Sequence, residues 1–245
     1  MHILLRKLRT LHSLSAEEEA AILGVLGPVQ TLPAASNIVS DGDTPANATV
    51  ILSGLACRNK VLPSGRRQIF AFQHPGDFVD LYGYVLKNMD HSITALTACS
   101  VCMVPHAEIG RIGRLFPNLY YALWRDSMVD ASVFQTWLLN IGQRSALERL
   151  AHLLCEQFYK LAAVGLAELG KPVAVHITQT DLADATGMSQ VHVNRTFQEL
   201  RRRGLIGRDP RVLEILDWSG LKELAGFEPD YLHYKHLHGH VPDQT

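Results

Sequence analysis

The chain has 245 residues, 47% hydrophobic and 19% charged, with 23 Lys+Arg against 24 Asp+Glu for a formal net charge of −1. This length suits one or two domains, and the balance of charge excludes a disordered polyelectrolyte. It also removes the simplest argument for nucleic-acid binding, a chain that is basic overall, so any basic surface must be local. No apolar run approaches the roughly 18–20 residues that span a bilayer, so no membrane partner is expected. Arg6, Lys7 and Arg9 interrupt the apolar start of the chain, unlike a signal peptide, and a cytoplasmic location is expected. Cys57, Cys99, Cys102 and Cys155 are too few for a disulfide framework, which predicts reduced, mostly buried thiols.

Ser15 and Glu18 stand at capping-box spacing and predict a helix running through Leu26. From Thr31 to Pro105 the pattern changes. Thr49–Leu52, Ala56–Leu62, Gln68–Phe72, Ile93–Leu96 and Ser100–Val104 are short apolar runs. Asp41-Gly42-Asp43, Ser53-Gly54, Pro63-Ser64-Gly65 and Pro75-Gly76-Asp77 punctuate the stretch. Short strands at this spacing predict a β-sandwich or barrel, not a βαβ fold. Cys99 and Cys102 would face opposite sides of a strand, which favours core packing over a shared metal or redox pair.

After Pro105 turn signals become sparse, and Asn118 to Ile141 contains neither Pro nor Gly. One helical row holds Phe116, Tyr120, Leu123, Ser127, Asp130, Phe134, Trp137 and Ile141. A second holds Tyr121, Trp124, Met128, Ala131 and Leu138. A helix with two apolar faces must bury both. One can pack on the β domain. The other calls for a symmetric two-helix seam or, alternatively, for burial within one monomer. Gly142-Gln143 reads as a hinge. Arg144 to Leu169 is again helical, with apolar residues at Leu147, Leu150, Leu154, Phe158 and Leu161. Val173 to Ile177 is a short extended stretch.

Ile177 to Arg208 divides into helix, tight turn and helix. Thr178 or Thr180 can cap the first helix, which turns Leu182, Ala183 and Ala185 or Thr186 inward. Gly187 supplies the turn and Ser189 caps the second helix. That helix buries Val193, Phe197 and Leu200 and exposes Gln190, Val191, Asn194 and Arg195. This is helix-turn-helix geometry. From Gln143 to Arg211 there are ten Lys/Arg and seven Asp/Glu, a surplus of three that leaves the remainder at −4. Arg195, Arg201, Arg202, Arg203, Arg208 and Arg211 lie in or just after the second helix. An arginine run also complements a helix C-terminus; behind a helix-turn-helix it reads as DNA contact. Gly204-Leu205-Ile206 and Val212 to Leu216 predict a hairpin wing.

The block TQTDLADATGMSQVHVNRTFQELRRRGLI resembles the winged helix of the Crp/Fnr family of bacterial transcription regulators. Upstream, ILSGLACR, GRRQIFAFQHPGDFVDLYG and HSITALT resemble that family's cyclic-nucleotide-binding β-roll. The resemblance covers roughly residues 15–220. It implies an α+β chain with an N-terminal β-roll (a double-stranded β-helix or jelly roll), a long dimerisation helix and a C-terminal winged helix-turn-helix. The corresponding boundaries are 1–115, 116–142 and 143–220, with a tail at 221–245. It further implies a homodimer on palindromic double-stranded promoter DNA, RNA polymerase as a partner, an effector sensed in the β-roll, and no enzymatic activity.

Carried over by position, Arg195 matches the family's base-reading arginine, a bidentate donor to guanine O6 and N7. Gln190 matches another base-contacting position, and Ser189 and His192 match phosphate-contacting ones. Val191 departs from the family's common Glu, which accepts from cytosine; valine offers apolar contact, such as to a thymine methyl. Asn194, Arg201, Thr178 and Thr180 complete the candidate DNA-contacting set.

Family members that bind cAMP carry a Gly-Glu pair for the ribose and an Arg-Ser pair for the phosphate. Here those places hold Asp80-Leu81 and His91-Ser92. Leu81 cannot bind a ribose hydroxyl, and His91 is a pH-dependent substitute for a fixed cation. Ordinary cAMP is therefore not expected. Asp80, Leu81, Tyr82, Gly83, His91 and Ser92 form the candidate effector pocket, or else they only pack or face solvent. No cofactor is assigned. Residues 1–56 lack the cysteine cluster of the iron–sulfur branch, and no spacing supports haem through His74, His91 or a cysteine. Two other readings are a ligand-independent DNA-binding regulator with a structural β-roll and a β-barrel metalloenzyme using His74, His91 and His106. His233, His236, His238 and His240 could hold Zn, Cu or Ni, although a mobile terminus is the simpler reading.

Overall fold

The computed structural model describes residues 1–174, 176–209 and 212–235. Ser15 and Glu18 form the expected capping box and open α2 (Ala16–Gly24), which ends short of Leu26. Ahead of it lies α1 (Ile3–Leu11), which the mixture of cations and leucines does not announce. Leu4, Leu8 and Leu11 are fully buried, and Lys7 is buried with them. Its ammonium lies 2.7 Å from Asp77 and 3.5 Å from Asp126, partners far away in the chain.

The predicted strands fall on β3 (Asn47–Ser53), β4 (Ala56–Val61), β5 (Arg67–Gln73), β6 (Ser92–Ala95) and β7 (Cys99–Pro105). Short β1 (Gln30–Leu32) and β2 (Asn37–Val39) precede them, and α3 (Gly83–Leu86) sits between β5 and β6. They pair antiparallel into two sheets, ordered β1-β7-β3 and β2-β6-β4-β5, which make the roll. Period-two alternation separates the two thiols of β7 as expected. Cys99 packs with Val39, Ile51 and Ile93, whereas Cys102 packs with Leu4, Ile22 and Ile109. Burial raises both thiol pKa values.

Two helices follow, α4 (His106–Leu115) and the long α5 (Pro117–Gln143). Gly110 and Gly113 weaken the helical signal of α4 but let it lie close to aromatic neighbours. A Cβ on Gly113 would stand 3.2 Å from the Tyr120 ring. The seam that α5 buries is Leu119, Ala122, Leu123, Asp126, Val129, Val133, Trp137 and Asn140. This corrects the predicted inner row. Of that row Leu123 and Trp137 are buried, whereas Ile141 is exposed and the others are half-buried. Asp126 and Asn140 are buried polar residues, which an apolar template skips. The second row stands as predicted: Tyr121, Met128, Ala131 and Leu138 are exposed, with Trp124 half-buried.

The hinge also needs correction. Gly142 lies within the last turn of α5, and the helix breaks at Arg144, in extended backbone (φ −81°, ψ 144°). Ser145 and Glu148 then form a second capping box that opens α6 (Ala146–Ala163). Arginines brace this elbow. Arg149 donates to the carbonyls of Asn140, Ile141, Arg144 and Thr186, and Arg144 donates to those of Ala225 and Gly226. Gly142 is exposed, helical and clear of neighbours. Gly142→Ala is therefore expected to stabilise the chain by about 0.5–1 kcal/mol. Thermal unfolding checks this, and destabilisation would mean that the glycine is needed for a bend.

The helical stretch expected to Leu169 ends at Ala163, followed by a turn with Gly165 at φ +73°. Next come α7 (Gln179–Thr186), α8 (Gln190–Arg202) and α9 (Trp218–Ala225). Ile206 bridges Ile215 and Val173 bridges Leu213, giving the expected wing. The largest apolar cluster runs continuously from Leu55 and Phe72 of the roll through Trp137 and Phe158 to Val193, Leu200 and Trp218. Among the described residues no helix is long and apolar enough to cross a membrane.

The chain beyond α9 is not loose over its described length. Phe227 and Leu232 are buried, the latter in a 3₁₀ turn (Pro229–Leu232). The Tyr231 hydroxyl donates to Glu156 at 2.8 Å, and the Lys235 N–H donates to the Thr10 carbonyl at 2.6 Å. Arg125 donates to the carbonyl of His233. This packing corrects the expected mobile terminus as far as Lys235. His236, His238 and His240 lie outside the described residues.

Candidate nucleic-acid interface and sensor site

The first helix of the pair is fixed by its own cap. Thr178 Oγ1 accepts from the Asp181 N–H and donates to the Asp181 carboxylate at 2.6 Å. Gly187 ends α7 at φ +68°, the left-handed conformation that the turn requires. Ser189 Oγ accepts from the His192 N–H at 3.3 Å and opens α8. Its hydroxyl thus serves the helix terminus, whose free N–H groups favour an anion. Thr180 accepts from Gln190 Nε2 at 2.9 Å and ties the starts of the two helices together.

With Val193, Thr196 and Leu200 buried, the opposite face of α8 shows Gln190, Val191, His192, Asn194 and Arg195 to solvent. Val191 is 63% exposed, a large apolar side chain held out where core packing would have turned it in. The local charge surplus reads differently once partners are known. Arg202 and Arg203 both pair with Glu199 at 2.7 Å. Arg201 lies over the Phe197 ring and donates to the Gly207 carbonyl, so it braces the wing. Arg144 and Arg149 hold the elbow, Lys160 is buried beside Glu156, and Lys171 pairs with Glu168. That leaves Arg195 and Arg208 as the cations of this segment with no partner among the described residues. Arg211 lies outside the described residues.

A contact absent from the sequence pattern joins the roll to the helix pair. Arg67, at the start of β5, forms ion pairs with Asp181 at 2.5 Å and Asp184 at 2.7 Å on α7. Its side chain packs the roll against the first helix of the pair.

In the roll the candidate pocket residues are mostly engaged with partners inside the protein, and of their side chains only those of Tyr82 and His91 bond to each other. Asp80 is fully buried and accepts from the Thr49 N–H and hydroxyl. Burial pushes its carboxyl up to about 7 despite those donors. Leu81 packs in the core with Leu4 and Val50. Gly83 is buried at the start of α3. His91 Nε2 and the Tyr82 hydroxyl are 2.7 Å apart, and His91 Nδ1 lies 2.7 Å from Asp90. Burial is the first cause that lowers the His91 pKa. Ser92 Oγ accepts from the Asp41 N–H. At their centre lies Arg58, which the sequence pattern does not single out. It is buried on β4 and donates to Val79 O and to Asp130 on α5.

His74, His91 and His106 do not converge. His74 is buried against Gln157, with its pKa pushed down to about 4 by burial. His106 packs near Tyr84. Among the described residues no group of three His, Cys, Asp or Glu is placed to hold a metal ion, which removes the support for the metalloenzyme reading.

Comparison with known proteins bears on both halves. Residues 29–114 match the model of a cyclic nucleotide-binding domain, and residues 148–224 match that of a Crp-like helix-turn-helix domain. The chain is 30% identical over 189 residues to the transcriptional activatory protein AadR of Rhodopseudomonas palustris, covering 77% of each chain. It belongs to the Crp/Fnr family of transcription regulators. This Crp/Fnr regulator is also 29% identical over 188 residues to the nitrogen fixation regulation protein FixK of Bradyrhizobium diazoefficiens, covering 77% of this chain and 78% of that one. Over 216 residues it is 25% identical to the transcriptional activator FnrL of Cereibacter sphaeroides, covering 87% and 86%. Its fold is similar to that of FixK2 from Bradyrhizobium japonicum, with a TM-score of 0.73 at 22% identity over 80% of this chain and 96% of the other. The expected order of β-roll, long helix and winged helix-turn-helix is thus the order found.

Proposed function

We propose that this regulator works as a homodimer in the cytoplasm, each protomer presenting α8 to one half-site of a palindromic promoter element, with RNA polymerase as its downstream partner. The observation that carries the DNA reading is Arg195, exposed and without a partner among the described residues, beside Gln190, Val191 and Asn194 on the leading turns of α8. Arg195 and Gln190 read base edges, Val191 meets a methyl group, and Ser189 and His192 border the phosphate. Arg201, Thr178 and Thr180 act mainly by holding the wing and the two helices in register. The dimer reading is supported by the stripe Tyr121, Trp124, Met128, Ala131 and Leu138, exposed but for the half-buried Trp124, whose steps of three, four and seven residues suit a two-helix seam. Division at 1–115, 116–142, 143–220 and 221–245 separates sensing, dimerisation and DNA binding, with the described part of the tail, as far as Lys235, packed against α1, α5 and α6.

The β-roll on this reading senses an effector other than ordinary cAMP, because Leu81 is committed to the core and Asp80 to Thr49. The engagement of Asp80, Tyr82, His91 and Ser92 with internal partners also favours a second reading, a ligand-independent regulator whose roll is structural. Selection of bound fragments from genomic DNA tests the main proposal. The expected motif is an inverted repeat with half-site centres about one helical turn, roughly 34 Å, apart. A motif without two-fold symmetry, or none, would sink the dimeric reading.

A further inference from the structure

Among the described residues of the roll, Arg58 is a buried cation whose hydrogen bonding is incomplete. It is 1% exposed, yet its Nε and Nη1 have no hydrogen-bond partner among the described residues. Only Nη2 is used, donating to Val79 O at 2.9 Å and to Asp130 Oδ2 at 2.7 Å. The guanidinium carbon lies 5.1 Å from the centroid of the Tyr82 ring and 5.6 Å from that of Phe134. Buried polar groups are nearly always paired, and two unpaired donors on a buried cation are costly. Asp130 is less deeply held, with its side chain 24% exposed.

The shape of the guanidinium sets what can complete it. Nη2 lies between the two unpaired donors, and a two-oxygen anion binds along one edge, taking Nη2 together with Nε or Nη1. Asp130 takes Nη2 alone. An incoming oxyanion therefore gains an edge only by displacing Asp130. The half-buried rings of Phe70, Tyr82 and Phe134 surround the approach. Leu81 offers a ribose hydroxyl nothing, which favours a compact anion without a sugar.

We propose that Arg58 anchors a compact oxyanion effector, a carboxylate or a phosphate, which displaces Asp130 and so releases α5 from β4. This rests on the effector reading of the roll and names the class of ligand. Asp130 lies between Met128 and Ala131 of the exposed stripe, so its release bears directly on the helix that carries the proposed seam.

The test uses the full chain at constant ionic strength, with chloride as the balancing ion. Melting is followed against succinate, inorganic phosphate and adenosine. Succinate or phosphate is expected to raise the melting temperature saturably, the two arms separating a carboxylate from a phosphate ligand, and adenosine is expected to have no effect. Asp130→Asn removes the competitor. It should melt lower without anion, be rescued by anion, and bind it about tenfold more tightly, the equivalent of one charge-assisted hydrogen bond. Arg58→Met should abolish the shift. No saturable shift in either the unmodified chain or Asp130→Asn overturns the proposal. A shift that survives Arg58→Met overturns the anchor while leaving the roll an effector domain. If Arg58→Met does not fold, unchanged affinity in Asp130→Asn is the overturning result. The DNA selection above is read independently, so failure of the anchor is distinguishable from failure of the regulator reading.

Discussion

Glu156→Ala is expected to lower the free energy of unfolding by about 3–5 kcal/mol, the usual cost of removing one partner of a buried ion pair. Glu156 is fully buried on α6 and lies 3.2 Å from the Lys160 ammonium, itself only 8% exposed. Its carboxylate also accepts from Trp137 Nε1 on α5 at 3.0 Å and from the Tyr231 hydroxyl at 2.8 Å. Burial works against the charged form, and Lys160, His152 and the two donors outweigh it, holding the carboxyl below its ordinary range. The alanine variant leaves Lys160 charged and buried and orphans both donors. Glu156→Gln removes the charge and keeps one acceptor oxygen for Trp137 and Tyr231 while turning a donor amide towards Lys160, so the difference between the two variants reports what the remaining acceptor contributes. Urea unfolding measures both. A loss under about 1 kcal/mol in the alanine variant would show that water replaces the carboxylate, which its burial argues against. Because Tyr231 anchors the chain after α9, amide exchange at Leu232 should quicken in the same variant.

The same cluster explains what was legible in the sequence and what was not. Local devices read through. The box Ser15–Glu18, the cap at Thr178 (one of the two threonines that the sequence offers), the turn at Gly187 and the cap at Ser189 each lie within a few residues of the group they satisfy. Alternation along β7 placed Cys99 and Cys102 on opposite faces for the same reason. Devices whose partners are remote did not read through. Lys7 makes α1 look like a surface helix until Asp77 and Asp126 arrive from other elements. Asp126 and Asn140 break the apolar rhythm of α5 and so shift the apparent seam. At the elbow, a glycine drew attention from the Ser145–Glu148 box, which is the feature that ends one helix and starts the next.

Charge shows the limit most clearly. Counting residues locates a basic segment correctly, but it cannot tell a free cation from one already used. Of the arginines at the end of α8, two share the single carboxylate of Glu199 and a third braces the wing. Arg58 is the converse case, a single unremarked residue in a strand whose burial and incomplete pairing make it the centre of the sensor face.

Arg195→Ala is expected to cost a dimer about 2–6 kcal/mol of specific DNA affinity, twice the roughly 1–3 kcal/mol of one bidentate base contact. The reason for the size is that nothing in the described chain competes for this guanidinium: it is exposed, has no partner among the described residues and stands within the first two turns of the helix that Ser189 caps. Arg195→Lys should recover little, because an ammonium supplies charge without the planar fork that matches guanine. Arg202→Ala, by contrast, removes a side chain already paired with Glu199 and should change affinity far less. Binding to the selected inverted repeat and to repeats altered at one symmetric position separates reading from mere attraction. Loss of discrimination at a single position in each half-site is the signature of base contact. A uniform loss across all sequences, with a shallower dependence on salt, would instead assign Arg195 to phosphate. Val191→Glu supplies the complementary gain. A carboxylate at this exposed place accepts from cytosine N4, so the preferred base beside the Arg195 contact should move from thymine to cytosine. An unchanged preference would mean that Val191 stands clear of the groove, and with it the placement of the leading turns of α8.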